Sequence, residues 1–167
     1  MARKSRTVQG GEEFSALLAK LADENSGYGA VVVMRAACYA GAEVLANAIK
    51  AEIQDLPEQE GYMPNGRKRN IITSYDKSML QRRLGVSKIE ATGEKASVAV
   101  GFNGYNDKPT KKYPKGVPIP LIARSIESGS SVRQKNPFIR RAFNNAKTNA
   151  QQKAIDAGQE KLNELIK

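Results

Sequence analysis

Apolar residues recur at helical spacing in two long stretches. Over residues 30–56, Met34, Cys38, Ala42, Leu45, Ile49, Ile53 and Leu56 step by three or four, the period of one helix face. Gly41 and many alanines make this a narrow helix that neighbours can approach closely. Val31, Val32 and Val33 at its start fit either a short strand or a first helical turn, and Pro57 stops the run. Over residues 137–166, Phe138, Ala142, Ala146, Ala150, Ala154 and Ala157 form a second stripe, built of small residues. Beyond residue 145 the large apolar residues are Ile155, Leu162, Leu165 and Ile166, so that part reads either as an extension docking on a partner or as a frayed tail. Three shorter helices are expected. Residues 11–25 carry Phe14, Leu17, Leu18 and Leu21 on one face, with Glu12 and Glu13 in the first turn, where the helix dipole favours them. Residues 76–84 carry Met79, Leu80 and Leu84. Residues 121–127 carry Leu121, Ile122 and Ile126.

One stretch changes period to two. Ala96, Val98, Val100 and Phe102 alternate with Ser97, Ala99, Gly101 and Asn103, which predicts a strand over 95–103. A strand over 86–91, with Ile89 and Ala91 on one face, precedes it across a Thr92-Gly93-Glu94 turn. Two strands alone are marginal, so residues 69–75 and 117–122 are where further strands are expected. Residues 57–75 and 104–117 otherwise read as long polar loops. The fold class is α+β: long helices packed on a small antiparallel β-sheet, with extended loops. The expected organisation is a flexible basic arm over 1–10, a single domain over 11–145 and a C-terminal helix extension over 146–167.

Composition narrows the chemistry. The chain has 167 residues, no histidine and one cysteine. Without histidine it lacks the commonest general base and the commonest metal ligand, and a zinc site is nearly excluded. Cys38, among alanines on a helix, reads as a small core residue rather than a nucleophile. No catalysis, cofactor or metal is expected. Arg35, Glu43, Lys50 and Glu52 interrupt the longest apolar run, so no membrane span is expected. The basic start lacks an apolar segment of the secretory kind, which points to maturation in the cytoplasm.

Charge is uneven. The net value is +10, yet residues 61–141 hold 17 basic and 5 acidic side chains, while the rest nearly cancels. Concentrated basic charge suits a polyanion or an acidic protein surface. Its densest points are Arg67, Lys68 and Arg69, then Lys108, Lys111, Lys112 and Lys115 beside Tyr105 and Tyr113. On an exposed loop the first cluster can neutralise phosphates without reading sequence; the second, basic beside aromatic, fits either single-stranded nucleic acid stacked on the rings or an extended arm that contacts a neighbouring subunit.

Residues 118–143 hold the most distinctive pattern: a short amphipathic helix, a small-residue basic loop, then Asn136-Pro137-Phe138. Asn136 is suited to cap a helix and Pro137 to open one. Arg140 and Arg141 follow, where the helix dipole disfavours them. The run Ile-Glu-x-Gly-Ser followed by Asn-Pro-Phe-Ile-Arg-x-Ala resembles the C-terminal signature of the tail-completion family of long-tailed bacteriophages. Glu127, Gly129, Pro137 and Phe138 match it; Ser128 stands where the family has an aromatic and Ser130 where it has Thr. A long helix ending at Pro57 before Gly61, and a strand reading Val98-Ala99-Val100-Gly101, match the family's order of elements.

The resemblance implies a structural virion protein of the neck or tail, made in the bacterial cytoplasm. It implies a homo-oligomeric ring at the head–tail junction or tail end, among neck, connector or tail proteins, with no chemistry. In such a ring Arg67, Lys68, Arg69, Lys111, Lys112 and Lys115 are candidate contacts to DNA in the lumen or to an acidic partner. Glu127, Gly129, Arg133, Pro137 and Phe138 are candidate subunit contacts. The alternative is a stand-alone, nonspecific nucleic-acid-binding protein.

Overall fold

The computed structural model describes residues 28–58, 61–62, 68–69, 72–92, 95–131 and 133–166. The expected arm over 1–10, the helix over 11–25 and Arg67 lie outside the described residues. The architecture is α+β. Two long helices, α1 (Tyr28–Gln54) and α4 (Phe138–Ile166), run side by side. Glu52 pairs with Arg141 at 2.9 Å, and Gly41 lies against Ala150 and Ala154. Moving back along α1 therefore means moving forward along α4, and the pair is antiparallel. At Gly41 the helices approach closely: a Cβ there would lie 3.1 Å from the Ala150 carbonyl oxygen.

The three valines that fitted either a strand or a helix are helical, inside α1. Gly29–Gln54 is long and apolar enough to cross a membrane by length and composition, which the interrupting charges did not lead one to expect. A minority of that stretch is buried in the fold. Val33, Ala42, Ile49, Ile53 and the adjacent Leu56 are buried. The end of α1 is closed by Lys77, whose Nζ donates to the carbonyls of Gln54 (2.7 Å) and Leu56 (3.1 Å) and pairs with Glu58. A cation there meets the negative end of the helix dipole.

Two short helices pack beside this pair: α2 (Ser74–Arg83) and α3 (Ile119–Glu127). The main core gathers at the end of α1 and the start of α4. Ile49, Ile53, Leu56, Met79, Leu80, Ile119, Ile122, Ile126 and Phe138 meet there. The remote half of the pair is buried through Ala30, Val33, Ala150 and Leu162. Residues expected as a C-terminal helix extension continue α4 without a break.

The strands are shorter than expected and differently paired. β1 (Gly61–Tyr62) pairs with β2 (Lys68–Arg69), so part of the expected 57–75 loop is a small antiparallel ladder. β3 (Leu84–Val86) pairs with β6 (Val100–Phe102), and β4 (Glu90–Thr92) with β5 (Lys95–Ser97). These last two ladders are successive stretches of one ribbon, offset by one residue. The first strand therefore starts at Leu84, directly after α2, rather than at residue 86. Three residues, 87–89, face only two, 98–99: a β-bulge. Ser87 fills the gap, its Oγ accepting from the Ala99 N–H at 2.9 Å while its own N–H donates to the Ala99 carbonyl. The Ile89 N–H finds the hydroxyl of Tyr39 on α1 at 3.2 Å. The alternation read from the sequence holds: Ala96, Val98, Val100 and Phe102 turn inward, and their neighbours outward. Of the expected extra strands, β2 touches the first region, and an isolated Tyr105–Pro118 bridge marks the second.

Candidate functional site: a lysine tab above a clamped turn

Residues 104–117 are not an open arm. They form a tab pinched shut at its base. The Asn106 N–H donates to the Val117 carbonyl (2.9 Å), and the Val117 N–H donates back to Asn106 Oδ1 (2.7 Å). Asn106 is thereby a buried polar residue with its needs met. Gly116 makes the pinch sterically feasible. Its φ is +93°, and a Cβ would sit 1.8 Å from the Asn106 carbonyl oxygen, so no side chain fits. At the tip, Thr110 and Tyr113 exchange backbone hydrogen bonds of 3.0 Å each, leaving Lys111 and Lys112 as the two turn residues. All four tab lysines are exposed. Lys112 Nζ lies 5.7 Å from the Tyr113 ring centroid.

Tyr75 of α2 holds the root of the tab. Its hydroxyl bonds the Asp107 carboxylate, and Lys108 Nζ stands 4.0 Å over its ring. A cation over an aromatic face is attracted by the ring quadrupole, so Lys108 is partly committed, while Lys111 and Lys115 have only solvent-exposed positions described.

Below the tab lies a clamp. Thr73 and Asp76 form a reciprocal capping box at the start of α2, two residues earlier than the expected helix. The same Asp76 carboxylate accepts from Arg133 at 3.1 Å, and Arg133 also donates to Ser125 Oγ at 3.0 Å. The two charged side chains are only 12–13% exposed. Removing either partner would strand a desolvated charge, which costs far more than the intact pair contributes. Arg133 is thus tied to α2 and α3 within its own chain. A cleft of about 420 Å³ lies between clamp and tab, lined by Tyr75, Asn106, Lys108, Leu121, Ser125 and Arg133 among others.

Glu127 completes the clamp. Its two carboxylate oxygens accept from the N–H groups of Ile139 (2.8 Å) and Arg140 (3.2 Å), the open first turn of α4. Those donors have no partner inside the helix, and a carboxylate there also meets the positive end of the dipole. Glu127, not Asn136, is the cap: Asn136 Oδ1 is buried without a hydrogen-bond partner, and the Asn136 N–H donates to the Ile126 carbonyl. The Glu127 carboxylate also offsets the unfavourable placing of Arg140 and Arg141, the latter being paired with Glu52. Gly129, at φ +78°, ends α3 in the left-handed conformation, where a Cβ would press on Lys135. Phe138 is fully buried, 6.2 Å from the Phe102 ring.

The structure therefore sorts the expected site residues it describes into three groups. Lys111, Lys112 and Lys115 come together on the tab. Lys68 and Arg69 form β2, on a strand rather than a loop. Glu127, Gly129, Arg133 and Phe138, expected as subunit contacts, make contacts within the chain, with half-buried Pro137 between them. Glu127 satisfies the open N–H groups of α4, Arg133 pairs with Asp76, Gly129 allows the reversal and Phe138 fills the core. Sequence reasoning missed Asn106, Gly116, Tyr75 and Asp76. Thr73-x-x-Asp76 carried a usable signal, the spacing of a capping box; the pairing of Asn106 with Gly116 carried none. Among the described residues no three of His, Cys, Asp and Glu stand together to hold a metal. Burial pushes the Cys38 thiol above its ordinary pKa, which disfavours the thiolate. Compared with known proteins, the chain matches no family model, no curated protein and no solved structure.

Proposed function

We propose that this chain is a structural subunit of a tailed-bacteriophage virion, forming a ring at the head–tail junction or tail end without catalysis. The observation that carries the reading is the joint between α3 and α4. Glu127, Gly129, Pro137 and Phe138, the residues of the family resemblance, form one mechanical unit. Their spacing answers to geometry: a carboxylate at the end of one helix caps the next, a glycine makes the reversal, and an aromatic seals it. The lysine tab suits the same role, since a passage for DNA calls for phosphate contacts that hold loosely and read nothing.

Quantitative mass spectrometry of purified particles tests the proposal. The expected result is a low copy number in a ring-like ratio to the portal. Absence from particles, with abundance in the lysate, would overturn it. The exposed tab favours one second reading, a free nonspecific nucleic-acid-binding protein. That reading expects tight, steeply salt-dependent DNA binding by the isolated chain, whereas a ring subunit expects weak DNA binding and strong self- or partner-association.

A further inference from the structure

The outer face of the ribbon is bare where it meets the tab. Gly85 and Gly101 pair directly across the β3–β6 ladder, while Leu84, Val100 and Phe102 beside them pack on the core. The two glycines therefore share the face turned away from it. A Cβ on either would meet nothing within 4 Å. Neither has the positive φ that calls for glycine, as Gly104, Gly116 and Gly129 do. Glycine inside a strand forfeits packing and costs conformational entropy, and here neither crowding nor backbone strain within the chain requires it. A strand glycine of that kind marks a place where something else approaches the backbone closely.

Cations and one ring edge this window. Arg83 ends α2, and the Asn103 N–H donates to its carbonyl at 3.1 Å, the next step of the ladder. Its side chain runs along Gly104, where a Cβ would stand 3.3 Å from Nη1 and 3.6 Å from Cδ. Among the described residues no carboxylate pairs with Arg83. Tyr105, one residue beyond Gly104, has its backbone held by the bridge to Pro118 and is 49% exposed. The other tyrosines of this region are engaged. Tyr75 lies beneath Lys108 and bonds Asp107, and half-buried Tyr113 has Lys112 near its ring. Residues 104–117 add four lysines against a single acid, Asp107.

We infer that this window seats single-stranded nucleic acid, with Tyr105 stacking an unpaired base and Arg83 and the tab lysines holding phosphates. The charge selects a polyanion. The exposed ring selects a single strand: in a duplex the base faces are already stacked, whereas an unpaired base gains by lying on an aromatic. The bare glycines let the sugar–phosphate chain come into contact with the ribbon backbone. This seat rests on nucleic acid meeting the tab, as both readings above have it, and adds which form is held and where.

Fluorescence anisotropy of the full chain tests the seat, with a labelled oligothymidylate of about 20 nucleotides and a duplex of the same length as probes. The single strand should bind more tightly. Tyr105→Ala should weaken it about five- to hundredfold, the worth of one base stacked on a ring. Tyr105→Phe should keep it, and neither change should move duplex affinity. Arg83→Gln should weaken both probes and flatten the slope of log affinity against log salt by about 0.7 for the single strand. Gly101→Val places a side chain that suits a strand into open space. The melting temperature should therefore hold or rise, while single-strand affinity falls roughly tenfold or more. Unchanged single-strand affinity in either Tyr105→Ala or Gly101→Val overturns the seat and leaves a tab that grips phosphates alone. Equal affinity for the two probes overturns it in the same way. Binding of neither probe overturns it together with the DNA contact in both readings, while particle composition still decides separately whether the chain is a virion subunit.

Discussion

Glu127 shows how much one side chain does here. It sits on α3, yet its carboxylate satisfies two N–H groups on α4. Loss of a helix cap costs about 1 kcal/mol, and up to about 2 where a charge also meets the dipole. Glu127→Ala should therefore lower the free energy of unfolding by about 1–2 kcal/mol in urea titrations. Glu127→Gln, which keeps one carbonyl oxygen, should lose less. Equal losses would mean that charge, not hydrogen bonding, dominates at this helix start. The sequence announced the apolar half of the joint, because Pro-Phe after a small-residue loop is a local signal. It concealed the polar half. Asn136 is the local candidate for a cap, but the fold brings Glu127 to the first turn of α4, with Ile126 and Phe138 beside it both in the core.

Among the elements, α1 and α4 were legible from periodicity alone, since one stripe of three- and four-residue steps admits one structure. Their mutual approach was half legible: Gly41 and the alanines announced close packing but not the partner. The structure supplies it, with Ala150 and Ala154 facing Gly41. Gly41→Leu should force the helices apart at this point. Overpacking of this kind typically costs about 1–3 kcal/mol, measurable as a lower urea midpoint with little change in slope. An unchanged midpoint would show that the pair slides freely to accept the side chain. The ribbon shows the opposite limit. Its inward face followed from alternation, whereas its pairing did not. The bulge depends on Ser87 lending a side-chain oxygen where a backbone acceptor is displaced, and a polar residue in a polar stretch gives no sign of that. The boundaries of the 86–91 strand were misread for the same reason.

At the scale of the whole molecule, charge and stability are carried by different parts. The core lies where α2, α3 and β6 meet the long helices; the tab lysines stand outside it. Reversing three of them, as Lys111→Glu, Lys112→Glu and Lys115→Glu together, should leave the melting temperature nearly unchanged. It should weaken binding to double-stranded DNA and reduce the slope of log affinity against log salt by roughly one per lost phosphate contact, about two to three in all. Unchanged binding and slope would remove the tab from any polyanion surface. The charge itself was legible in the sequence; its presentation was not, because an extended arm and a pinched loop share the same composition. The pinch carries a consequence for how such a chain can change over generations. Asn106 and Gly116 seal the base of the tab, and its outer positions, among them Thr110 and all four lysines, are exposed. These positions form a cassette insulated from the core except at Tyr75. Mutations within it are free to retune charge, length or partner without a toll on folding, so long as the asparagine and the glycine are inherited together. The same insulation makes the tip between Thr110 and Tyr113 the natural place to graft a foreign peptide or label.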